Sequence, residues 1–73
     1  RGLDVSAVEA IHKLIIDQRD KGSAVLLISE DLDELFKLSD RIIVLYEGKA
    51  IKEVDIDIAT IDTIGLAMAG INE

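Results

Sequence analysis

The 73 residues contain no cysteine, no proline and no tryptophan, and only one histidine, one tyrosine and one phenylalanine. Without cysteine there is neither a disulfide staple nor a thiolate metal site, and a lone His12 excludes a multi-histidine zinc centre. A reducing compartment fits that usage best. No proline-marked linker, internal repeat or low-complexity segment divides the chain. Long apolar runs are missing too. No run exceeds the five residues of Ala24 to Ile28, far short of what crosses a hydrocarbon layer of about 30 Å. Arg1-Gly2-Leu3-Asp4 lacks the apolar stretch of a secretory leader. The chain begins without Met inside what reads as a turn, so the expectation is a piece of a larger protein.

Positive charge is scarce: eight Lys and Arg stand against fifteen Asp and Glu, a net charge of -7. Nucleic acid and anionic lipid both need a basic footprint, which disfavours them as direct partners. The acidity is uneven, with Glu30, Asp31, Asp33, Glu34 and Asp40 opposed only by Lys37 between residues 22 and 40.

Apolar side chains, by contrast, are plentiful at 49% of the chain. A domain of this size buries only about 60% of its unfolded surface, so its stability is marginal without help. Apolar surface is therefore expected to remain exposed for missing neighbours, and the isolated chain is expected to self-associate through it.

Ser6-Ala7-Val8-Glu9 reads as a capping box, which places a helix start near Val5 to Ala7. Val8, Ile11, Leu14 and Ile15 then form one apolar stripe, and Gly22 supplies the stop. Ala24 to Ile28 is apolar without alternation, as expected of a strand covered on both faces in a parallel sheet. Glu30 or Asp31 begins a second helix carrying Leu32, Leu35, Phe36 and Leu38. Arg41 to Tyr46 is a second β-rich run, and Glu47-Gly48 hinges it to a third, Lys49 to Val54, as an antiparallel hairpin with one wet face. Thr60 caps a last helix containing Ile61, Ile64, Leu66, Ala67 and Met68, closed by Gly70. The fold class is α/β, with strands 24–28 and 42–46 expected to be parallel through a right-handed crossover.

In open α/β sheets ligands gather at the carboxyl ends of the strands, here Ser29-Glu30-Asp31. Two readings stay open for it. Ser29 and Asp31 simply cap the next helix, or they also aim a polar group at a ligand bound elsewhere on the sheet. The carboxylates of 30–34 lack the third ligand and the glycine of a calcium loop, so a solvated helix start is the better reading. His12 has no second histidine at helical spacing and reads as an ordinary surface residue. No phosphate-cradling glycine loop and no nucleophile with an adjacent base occur, so the chain is not expected to be an enzyme by itself.

Taken in order, Gly2-Leu3-Asp4, the capped helix, Ala24 to Ser29, Asp31-Leu32-Asp33-Glu34 and Ser39 to Lys49 resemble the last third of an ABC-transporter ATP-binding domain, along nearly the whole chain. The resemblance implies a fragment, residues 1–73, of a P-loop NTPase-type sheet that retains the D-loop, the switch segment, the terminal hairpin and the last helix. Walker A, Walker B and the signature motif are absent. It further implies that Arg1 to Asp4 are the D-loop, with Asp4, flanked by Gly2 and Leu3, reaching across a nucleotide-sandwich dimer. Ser29-Glu30-Asp31 corresponds to the switch segment. There the family usually has histidine against the γ-phosphate, and this chain has Glu30, which implies a degenerate catalytic position.

Arg1 before Gly-Leu-Asp, the non-histidine switch and the Gly65 to Gly70 ending look most like the second nucleotide-binding half of importers for simple sugars or nucleosides. ATP and Mg are then the parent protein's cofactors. Its partners are the rest of its own ATP-binding domain, a second such domain and a membrane permease that holds it on the cytoplasmic face. The isolated fragment is expected to bind and hydrolyse no ATP.

An alternative is a protein-interaction module resembling an anti-sigma-factor antagonist domain, in which Ser6 is a phosphorylation switch. The hairpin after Tyr46 argues against it. A receiver-type domain is weaker still, because no acidic pair ends a preceding strand.

Overall fold

The computed structural model describes residues 5–71, in the order α1 (Val5–Asp20), α2 (Leu32–Leu38), β1 (Arg41–Tyr46), β2 (Lys49–Asp55) and α3 (Ile61–Met68). Helix α1 already includes Val5, so Ser6 lies inside its first turn and does not precede it. The expected start near Val5 to Ala7 agrees with this, and only the role of Ser6 as the cap is corrected. Of the expected apolar stripe, Val8 and Ile15 are half-buried while Ile11 and Leu14 are exposed, and α1 buries no residue completely.

Gly22 ends α1 as expected. Its φ of +95° lets the Ser23 amide reach the Gln18 carbonyl at 3.0 Å and its own amide reach that of Arg19 at 2.9 Å, the paired bonds of a Schellman motif. Gly70 closes α3 in the same way. Its φ is +88°, and Ile71 and Gly70 donate to Leu66 and Ala67, each at 2.9 Å.

Residues 24–28 do not form a strand. They take no regular structure, and the one sheet among the described residues is the antiparallel pair β1–β2. The expected parallel pairing of 24–28 with 42–46 is therefore absent here. The physical reason is that a strand exists only by pairing, and unpaired edge groups stay with solvent. Leu26 and Ile28 are 87% and 88% exposed, so neither a partner strand nor a covering layer is in place.

The hairpin forms as its turn chemistry predicts. Glu47 and Gly48 have φ of 49° and 80°, the two positive values of a type I′ connection whose twist suits paired strands. Arg41 pairs with Asp55 and Tyr46 with Lys49, with a register shift after Val44 that admits Ile51 as an extra residue. On β1 the buried residues Ile42 and Val44 alternate with the exposed Ile43 and Leu45. Both faces of this strand are apolar and only one is covered.

The covered face meets α3. Ile42, Val44, Ile64 and Ala67 form the core, with Leu35, Phe36, Ile51 and Val54 packed around it. Thr60 caps α3 by accepting the Thr63 amide at 3.1 Å, as expected. The Cα radius of gyration is 13.3 Å, against about 11 Å for a compact domain of this length. The excess reflects α1 and residues 23–29 standing off the small core.

Gly70 is required for two reasons. Besides its positive φ, a Cβ there would lie 2.7 Å from Cζ and 2.8 Å from Cε2 of the Tyr46 ring. Gly70→Ala is expected to lower stability by about 1–2 kcal/mol, read as a shifted urea midpoint. Adding Tyr46→Ala should recover the steric part and leave the backbone part. An unchanged midpoint in the single variant would contradict this account of the α3 terminus.

Candidate functional site

The Ser29-Glu30-Asp31 turn leads from residues 24–28 into α2, and its own side chains shape it. The Asp31 amide donates to Ser29 Oγ at 3.0 Å, and the Glu34 amide donates to Asp31 Oδ1 at 3.3 Å. Asp31 is the N-cap, with extended φ and ψ of -89° and 109°. The capping reading of Ser29 and Asp31 is thus observed in full. It leaves the neighbouring Glu30 without a structural task in the turn, and that side chain is exposed.

Glu30 lies on the rim of an open cleft of about 970 Å³. One wall is the unpaired segment 24–29 and the other is β1 from Arg41 to Leu45, with Ile64 and Met68 of α3 and Ile15 and Ile16 of α1 contributing to it. The cleft is mainly apolar. It is shaped by missing packing between two lengths of extended chain and does not enclose a set of converging polar groups.

The acidic start of α2 makes no metal centre, since no three His, Asp or Glu among the described residues are placed to hold an ion. Nor do the described residues fit ATP with Mg. The turn carries Glu30, Asp31, Asp33 and Glu34, and phosphate recognition requires amides or cations in that place. Asp4, Gly2 and Leu3 lie outside the described residues, so the structure does not place them relative to Glu30.

Sequence reasoning missed His12. Its Nε2 lies 2.7 Å from Glu34 Oε2, joining α1 to α2, and the two side chains are 12% and 26% exposed. The Ser29 hydroxyl first, and the His12 imidazole second, hold the Glu34 carboxyl below its ordinary range. The partners are 22 positions apart. No local periodicity marks such a pair, and the only available signal was the nearby concentration of carboxylates opposite an unpaired histidine.

Comparison with known proteins gives one consistent result. The chain is 51% identical over 70 residues to the glucose import ATP-binding protein TsgD13 of Haloferax volcanii, covering 96% of this chain and 13% of that protein. It is 53% identical over 70 residues to the guanosine import ATP-binding protein NupO of Bacillus subtilis, with 96% and 14% covered. It is 47% identical over 72 residues to the nucleoside import ATP-binding protein NupA of Lactococcus lactis, with 99% and 14% covered. The chain thus spans 13–14% of the length of these relatives. No protein-family model matches it, and no solved structure does.

Proposed function

We propose that this chain, which corresponds over nearly its whole length to a segment of the sugar and nucleoside import ATP-binding proteins of ABC transporters, is part of the ATP-driven motor of such an importer. The observation that carries this is the match itself: about half the residues are identical along 96% of the chain, and the named relatives are all import ATP-binding proteins. In this reading residues 1–73 are the C-terminal piece of one ATP-binding domain. The motor closes on ATP and reopens on hydrolysis while a permease alternates access, and the domain sits on the cytoplasmic face through that permease.

The cleft and the exposed residues support the same reading from physics. Residues 24–28 have the composition of a central strand, and β1 has a second apolar face. Both become parts of one P-loop-type sheet, parallel to each other, when the remainder of the domain supplies the neighbours. Arg1 to Asp4 act as the D-loop, with Asp4 directed across the dimer. Glu30 occupies the switch position, and its carboxylate makes that site degenerate.

In this reading ATP and Mg are cofactors of the parent protein, and the 73-residue chain alone does not hold them. Isothermal calorimetry tests the assignment. The 73-residue chain is expected to give no heat of binding with Mg-ATP, and the full-length protein to bind it. Stoichiometric micromolar binding by the short chain, or none by the long one, overturns the reading.

A further inference from the structure

We infer that His12 is a positioning residue for the Ser29–Asp31 turn, acting through Glu34 to make α1 and that turn move as one body. The path is short and continuous. His12 Nε2 meets Glu34 Oε2 at 2.7 Å, the Ser29 hydroxyl helps to hold that carboxyl below its ordinary range, and Ser29 Oγ accepts the Asp31 amide at 3.0 Å. Glu34 also returns to the turn through its own amide, which donates to Asp31 Oδ1.

Three features set this pair apart from the others on the surface. The ion pairs Lys13–Asp17 and Arg19–Asp20 stay within α1 and Arg41–Glu53 stays within the hairpin, whereas His12–Glu34 joins two helices. It is also the best shielded of the four described pairs, so solvent weakens it least. Finally, His12 Nδ1 is buried with no hydrogen-bond partner. Leaving a buried acceptor unmatched is costly, and the site keeps the imidazole there because Nε2 has Glu34. With Nε2 facing a carboxylate, the neutral ring carries its proton on Nε2 and strands only a lone pair at Nδ1.

Apolar packing gives α1 little other purchase, since it buries no residue completely. The bridge is therefore one determinant of where α1 sits against the turn that carries Glu30. That Glu30 faces a nucleotide rests on the function proposed above; the coupling of α1 to the turn does not.

Hydrogen exchange of the full-length protein, read without nucleotide, tests the coupling independently of the motor reading. In His12→Phe the amides of Asp31 and Glu34 are expected to exchange about tenfold faster, the scale set by losing one charge-assisted hydrogen bond, while β1 and β2 amides keep their rates. His12→Gln places an amide N–H close to where Nε2 sits and is expected to restore slow exchange. His12→Asn places it near Nδ1 and is not. Unchanged exchange in His12→Phe, or acceleration spread evenly over all elements and not rescued by Gln, overturns the inference.

Discussion

Glu30→His in the full-length ATP-binding protein is expected to raise single-site ATP turnover by about ten- to a hundredfold. A carboxylate about 4 Å from a phosphate oxygen is repelled by roughly 4 kcal/mol per charge pair at an effective dielectric of 20. Glu30 is exposed and able to turn towards water, so only part of that repulsion is expressed. Each 1.36 kcal/mol is worth about a factor of ten, which gives the stated range. An imidazole at the same place brings a hydrogen-bond donor without the negative charge. Glu30→Gln separates the two contributions, because it removes the charge without supplying the ring. A single-site rate that stays the same in Glu30→His counts against Glu30 occupying the switch position. The backbone of the turn should tolerate both changes, since Ser29 and Asp31 make its hydrogen bonds.

What could be read from the chain divides by the range of the interaction. Asp31 and Thr60 cap α2 and α3, Gly22 and Gly70 close α1 and α3, and Glu47-Gly48 turns the hairpin, all as anticipated. Each depends on residues within five positions of one another, where side-chain chemistry alone selects the backbone. The likeness to an ABC importer ATP-binding segment was also legible, because it rests on the order and spacing of such local elements, and the relatives agree with it. The exception among local signals is Ser6, whose capping pattern with Glu9 was genuine in composition but lies within the first turn of the helix and not before it.

Contacts between distant residues were not legible. His12 looked like a surface residue because its partner is 22 positions away on another helix, and only the angle at which α1 meets α2 brings them together. For Ala24 to Ile28 the difficulty is of another kind. Their composition correctly describes a strand that expects cover on both faces, yet the groups that would pair with it are not supplied by the described residues, so the segment stays irregular and bare. Local sequence states a preference here, and its fulfilment depends on atoms elsewhere.

That distinction can be measured by comparing two truncations. Ile64 is fully buried between α3 and β1, and Ile64→Ala is expected to cost about 2–5 kcal/mol through lost transfer energy and the cavity left behind. A domain of this length has roughly 4–11 kcal/mol in total, so the short chain should lose much or all of its cooperative unfolding transition. Leu45 lies on the opposite face of the hairpin and is 70% exposed. In the 73-residue chain, Leu45→Ala should change stability by less than about 0.5 kcal/mol. In the full-length protein the same substitution should approach the Ile64 value, because a second layer then covers that face of β1. Urea denaturation of the four variants reads both effects. If Leu45→Ala were equally harmless in the two lengths, the outer face of β1 would not be an interior surface awaiting its neighbours, and the placement of this chain inside a larger sheet would fail on physical grounds, whatever the sequence identity.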